Sequence, residues 1–223
     1  MSLDQPLPAV SPAPAAPAGA APAGVTFVDS RDALAAIAEP ACAGAVWPRA
    51  LPAEVSAWLD ALPAERLPNG RLKTLPSEAR AAAAELFDAA GAPDDACRVW
   101  LIEDVAALAD RFARLMGAER LLLRLQVVTS NACRKFHVDA VTARLICTYR
   151  GTGTQVGTSP DLANRADPPQ IVTVPSGAPL ILRGTLWPET PASALLHRSP
   201  PIEGTGETRL LLVLDPFDPE IHG

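Results

Sequence analysis

Apolar positions recur at helical spacing through the first half of the chain and in strand-like runs through the second. Pro52 opens a stretch in which Val55, Trp58, Leu59 and Leu62 share one helical face. The proline falls in the first turn, where its missing N–H costs nothing. Ser77 leads into EARAAAAELFDAAG, a helix-forming run closed at Gly91. From Asp94 or Asp95 onward, Val99, Ile102, Val105, Leu108, Phe112 and Leu115 repeat every three or four residues up to Gly117, the expected stop. Ser30 before Arg31-Asp32-Ala33-Leu34 predicts a shorter capped helix. These stripes read as packing faces rather than partner surfaces.

The character changes near residue 119. RLLLRLQVV, TARLICTYR, QIVTV, APLILRG, SALLHRS and TRLLLVLD are short β-like runs separated by Gly, Pro, Asn and Asp. Strands following a block of helices predict an α+β chain: N-terminal helices packed on a C-terminal antiparallel sheet, sandwich or jelly roll. Long helices do not alternate with the strands, which argues against a dinucleotide-binding sheet. GTGT at 151–154 has no phosphate-loop lysine and no following helix, so it reads as a hairpin turn. Residues 1–24 form an Ala/Pro tract with little to bury, expected as a disordered or extended tail. The resulting organisation is a tail over 1–24, a helical part over 25–118 and a β part over 119–223.

Composition narrows the function classes. The 223 residues carry 25 acidic against 19 basic side chains, a net charge of -6, which is the wrong sign for holding nucleic-acid phosphates. No run of 18 or more apolar residues suggests a membrane span. Cys42, Cys97, Cys133 and Cys147 form no CxxC pair. The first residues lack a basic segment and compact apolar core, so the cysteines read as reduced and the protein as cytoplasmic.

Candidate chemistry lies in the β half. Of the three histidines, His222 sits at the chain end, whereas His137 and His197 flank strands. In FHVDA, His137 and Asp139 are two residues apart, so an extended chain projects imidazole and carboxylate to one side. Together with a histidine from a neighbouring strand, they would form the two-histidine, one-carboxylate face that binds iron(II) and leaves open positions. His197 is the other interior histidine. Leu145, Cys147 and Tyr149 share the parity of His137 and Asp139 if the strand stays extended. Tyr149 then points inward; one bulge would turn it outward.

Two resemblances rest on these segments. LQVVTSNACRKFHVD and PSGAPLILRGTLWPETPASALLHRSPPIEGTGETRLLLVLD resemble the two halves of prolyl-hydroxylase-like 2-oxoglutarate/iron(II) dioxygenases, over about residues 120–215. FHVDAVTARLICTYRGTGTQ, LILRGTLWP, LLHRSPP and RLLLVLD resemble an uncharacterised bacterial domain-of-unknown-function family, number 1826. The second implies only that these segments form one domain. The dioxygenase resemblance implies a double-stranded β-helix (a cupin-like jelly roll). It also implies iron(II) held by His137, Asp139 and His197, and 2-oxoglutarate anchored by Arg209 with Tyr149 as a further contact. The activity implied is hydroxylation of a small-molecule or peptide substrate; charge and the apolar runs already argue against nucleic acid and membrane. The sequence departs from that pattern before HxD, where a frequent tyrosine is replaced within VVTSNACRKF.

Two other readings stay open. Cys133 or Cys147 could join the histidines around zinc, giving a non-redox storage, sensing or hydrolytic site. Alternatively, the histidines are structural in a metal-free binding module, and they then lie far apart.

Overall fold

The computed structural model describes residues 11–12, 21–161, 166–188 and 194–217. His222 and most of the Ala/Pro tract lie outside them. Three helices carry the predicted stripes: α1 (Ala53–Ala61), α2 (Ala79–Ala89) and α3 (Ala96–Met116). Helix α3 starts where the Asp95 side chain accepts from the backbone N–H groups of Cys97 and Arg98, and stops at left-handed Gly117, φ 60°. The short helix expected after Ser30 is a 3-10 helix over Asp32–Ala38.

The strands are β1 (Ser11–Pro12), β2 (Val25–Phe27), β3 (Gly44–Val46), β4 (Arg49–Ala50), β5 (Gly70–Thr74), β6 (Leu121–Val128), β7 (Ala143–Arg150), β8 (Gln155–Thr158), β9 (Val172–Thr173), β10 (Pro179–Arg183), β11 (Leu195–Arg198) and β12 (Arg209–Pro216). Seven form one large sheet in the order β2-β3-β10-β7-β12-β6-β5, three form a second sheet, β11-β8-β9, and β1 pairs with β4. All neighbours are antiparallel except β2 and β3. The chain is therefore a mixed α and β structure built on a large sheet.

Both faces of the large sheet are covered, which explains why its strands read as nearly unbroken apolar runs. Along β12, Leu210, Leu212 and Leu214 pack in one core with Leu101, Val105, Leu108 and Phe112 of α3. The intervening Leu211 and Val213 pack in a second core with Val156 of β8 and Leu195 of β11. Period-2 alternation thus sorts one strand between helices on one side and the small sheet on the other.

Residues 25–118 are mainly helical, and they also contribute β2, β3 and β5, which complete both edges of the large sheet. These strands are two triplets, VTF and GAV, and an edge strand with alternating exposure, all too brief to give a periodic signal. GTGT is not a hairpin turn within one sheet, because it carries the chain from β7 in the large sheet to β8 in the small one. Within the 1–24 tract, Ser11 and Pro12 pair with Ala50 and Arg49. No helix among the described residues is long and apolar enough to cross a membrane.

Candidate metal centre

His197 stands in β11, and the HxD segment meets it through a single antiparallel bridge. The His137 N–H donates to the His197 carbonyl at 3.0 Å, and the His197 N–H returns to the His137 carbonyl at 3.0 Å. Residues that exchange both bonds lie directly opposite each other with side chains on the same face. The imidazole rings accordingly sit 4.4 Å apart, centre to centre. Asp139, two residues on from His137, joins them.

One donor atom from each of His137, Asp139 and His197 lies within 4.8 Å of the other two. Asp139 Oδ2 is 3.0 Å from His197 Nε2, and Asp139 Oδ1 is 3.5 Å from His137 Nε2. Donors about 2.1 Å from a shared ion and at right angles to each other are about 3 Å apart, so the spacing between Asp139 Oδ2 and His197 Nε2 suits one metal. Asp139 Oδ2 is buried beside His197 Nε2 and has no hydrogen-bond partner among the described residues. A buried carboxylate oxygen left without a donor suits a cation.

The surroundings fix the donors. His137 Nδ1 lies 2.9 Å from the Lys135 carbonyl. That contact places the proton on Nδ1 and leaves Nε2 free to ligate. Bonding to Asp139 raises the His137 pKa above its usual value, against the effect of burial. Burial pushes His197 down, towards the neutral imidazole a metal needs. Burial would raise Asp139, but His137, His197 and the Arg144 charge outweigh it and hold the carboxylate well below its usual range.

Arg144 occupies the other oxygen of Asp139, with Nη1 2.5 Å from Oδ1. Its Nε and Nη2 donate to Asp215 Oδ1 and Oδ2 at 2.6 and 2.9 Å. Arg124 Nη2 also donates to Asp215 Oδ2, at 2.8 Å. Arg124, Gln126, Ile146 and Thr154 line a cavity of about 170 Å³ together with His137 and His197.

Arg209 lies across the β ladder from Val128, another residue of that cavity wall, so the two share a face of the sheet. It is fully buried. Its Nε donates to the Thr152 carbonyl at 2.6 Å, while Nη1 and Nη2 are buried with no hydrogen-bond partner among the described residues. Burial pushes its pKa down to about 10, opposed by Glu207, so the guanidinium keeps its charge at neutral pH.

Tyr149 and Cys147 require correction, because both face the helices rather than the cavity. Tyr149 donates through its hydroxyl to Asp104 Oδ2 of α3 at 2.7 Å. Cys147 is buried in the same core, its Sγ 4.0 Å from Arg49 Nη2. The segment between Asp139 and Ala143 is not extended, so the parity count restarts at β7. Ile146 and Arg144 take the cavity side instead. Cys133 is exposed and lines the cavity near His137, outside the group of three donors. Asp215, and Arg144 as a partner of Asp139, escaped the sequence reading. The available signal was a charged residue inside an apolar strand, but its partner stands 71 positions away.

The family model described as protein of unknown function, DUF1826, matches residues 28–215. No curated protein matches the chain. Among solved structures, the chain is similar to a rice dioxygenase for auxin oxidation: 16% identity, 86% of this chain and 77% of the other covered, TM-score 0.47. The Arabidopsis thaliana dioxygenase for auxin oxidation, solved as a complex with 2-oxoglutarate, gives 15% identity, 75% and 73% coverage and a TM-score of 0.41. A Pseudomonas putida prolyl-4-hydroxylase gives 15% identity, 83% and 97% coverage and a TM-score of 0.42. At these scores the similarities carry no argument about chemistry, which rests on the residues above.

Proposed function

The chain belongs to the DUF1826 family, whose description assigns no activity, and for it we propose an iron(II)- and 2-oxoglutarate-dependent oxygenase that hydroxylates a small-molecule or peptide substrate. In this reading the two sheets are the walls of a double-stranded β-helix. The central strands β6, β12, β7 and β10 form one wall; the HxD segment with β11, β8 and β9 forms the other.

His137 Nε2, one oxygen of Asp139 and a ring nitrogen of His197 hold the metal. The observation that carries this reading is their convergence, with buried Asp139 Oδ2 lacking a hydrogen-bond partner among the described residues. Iron(II), when bound, would activate dioxygen, the oxidant: one oxygen atom would enter the substrate C–H bond and the other the succinate formed as 2-oxoglutarate loses carbon dioxide. The protein's part is to bind and orient. Arg209 presents two buried, unpartnered N–H-bearing nitrogens, the flat fork that suits the distal carboxylate of 2-oxoglutarate. Apolar Val128, Ile146, Leu211 and Val213 along the cavity exclude water and strengthen that charge pairing. Arg209 is thus the cosubstrate anchor in this proposal, and Tyr149 has no part in it.

Anaerobic titration with iron(II) and 2-oxoglutarate tests the proposal. The expected result is a weak visible charge-transfer band, absent from His137→Ala and His197→Ala. A non-redox zinc site is the second reading, favoured by Cys133 on the wall beside His137. No band, with zinc retained through purification and lost on Cys133→Ser, would establish the second reading and end the first.

A further inference from the structure

Asp139 and Asp215 are joined through one guanidinium, and that link defines a role for Arg144. We infer that Arg144 is a positioning residue that confines Asp139 to a single oxygen towards the metal, with Asp215 as the clamp on Arg144. The inference rests on the metal reading proposed above.

Geometry gives each nitrogen of Arg144 a task. Nη1 takes Asp139 Oδ1 at 2.5 Å, while Nε and Nη2 take both oxygens of Asp215. Asp215 is 1% exposed and bears Arg124 on the same Oδ2 that Arg144 Nη2 uses. Neither carboxylate can rotate without giving up a charge-assisted bond in a buried setting. Arg144 therefore cannot follow Asp139 if that side chain turns, and only Oδ2 remains available to a metal. The chain Arg124–Asp215–Arg144–Asp139 contains two cations and two anions, so its own charge sums to zero before any metal arrives.

Denticity matters because a carboxylate can occupy one or two coordination positions. Two imidazoles and one carboxylate oxygen fill half of an octahedral shell. A 2-oxo acid chelating through two atoms needs two adjacent positions among those left. If Asp139 swung both oxygens onto the metal, it would take a position from that open half. Arg144, by occupying Oδ1, preserves it. A lysine at this place would keep the charge, but its one ammonium cannot serve Asp139 while gripping Asp215 through two separate nitrogens. Charge and fork can thus be separated by experiment.

The probe is cobalt(II), a spectroscopic substitute for iron(II), followed by 2-oxoglutarate, with the wild type, Arg144→Lys and Arg144→Gln. All three are expected to bind cobalt. Both variants should show a changed visible absorption spectrum and an affinity of the cobalt-loaded protein for 2-oxoglutarate about 10-fold or more below wild type. Asp215→Asn, which retains Arg144 but loosens its clamp, should shift both readouts in the same direction by less. It also serves as the test if the Arg144 variants do not fold. An Arg144→Lys protein, or failing that an Asp215→Asn protein, with wild-type spectrum and 2-oxoglutarate affinity overturns the inference. Failure of the wild type itself to bind cobalt overturns the metal reading instead.

Discussion

A buried arginine whose terminal nitrogens make no hydrogen bond is costly, because desolvation is not offset by bonds made. Arg209 is in that state, with only its Nε donating to Thr152. If the missing partner is the distal carboxylate of 2-oxoglutarate, Arg209→Met should weaken 2-oxoglutarate binding about 100-fold, from two lost charge-assisted hydrogen bonds, and leave metal binding intact. The ligand-free protein should lose no more than about 1 kcal/mol, the worth of the Thr152 bond. Calorimetric titration and denaturant unfolding measure the two halves; unchanged 2-oxoglutarate affinity removes Arg209 from the site. Tyr149 gives the opposite expectation. Its hydroxyl is committed to Asp104, which also pairs with Arg49 at 2.6 Å. Tyr149→Phe should therefore cost about 1–2 kcal/mol of stability and leave metal and 2-oxoglutarate affinities at wild type. A fall in 2-oxoglutarate affinity without loss of stability would put Tyr149 back into the cavity.

At the level of elements, the turn between the HxD segment and β7 governs the site. It is held from outside by the segment after β10. Gly184 N–H donates to the Thr142 carbonyl, Thr185 N–H to the Asp139 carbonyl and Leu186 N–H to the Val141 carbonyl. The approach is so close that a Cβ on Gly184 would meet the Val141 carbonyl oxygen at 1.8 Å, where no side chain can yield. Gly184→Ala should cost at least about 2 kcal/mol by denaturant unfolding and weaken metal binding, because the displaced backbone carries Asp139. Wild-type metal affinity in that variant would show that the turn does not place the ligand. The same turn marks the limit of what the sequence made legible. His137 and Asp139 were readable because a two-residue spacing shares a face in any extended segment, and histidines are scarce enough to leave His197 as the mate. Tyr149 was misread because face counting does not survive a non-extended turn. Arg144 and Asp215 went unpaired because nothing along the chain says which strands become neighbours. The helices over 53–61, 79–89 and 96–116 were legible from long stripes and caps; the triplets of β2 and β3 carry too few positions for any period to appear.

Across the whole molecule, the site joins two sheets at a seam where they share few backbone bonds. The large sheet is braced by helices, whereas the HxD segment meets β11 through one bridge. A metal held by His137, Asp139 and His197 would tie that segment to β11, so metal binding should stabilise the folded chain and do so in a pH-dependent way. The signs follow from the titrations. His137 is raised above its usual 6.5 by Asp139, so in the ligand-free protein the pairing contributes stability below about pH 6.5. That contribution is lost as pH rises through the raised folded value. A metal must displace the same proton from His137. Asp139 is already ionised, and burial favours neutral His197. Metal uptake below the raised His137 value should therefore release the His137 proton, and the affinity should fall as pH drops through the His137 range. The increase in melting temperature on adding zinc or anaerobic iron(II) should accordingly be larger at about pH 7.5 than at about pH 5.5. His137→Ala should abolish most of the increase at both pH values. Melting curves with and without metal measure this, and a metal-induced increase that is independent of pH would show that His137 is not a ligand.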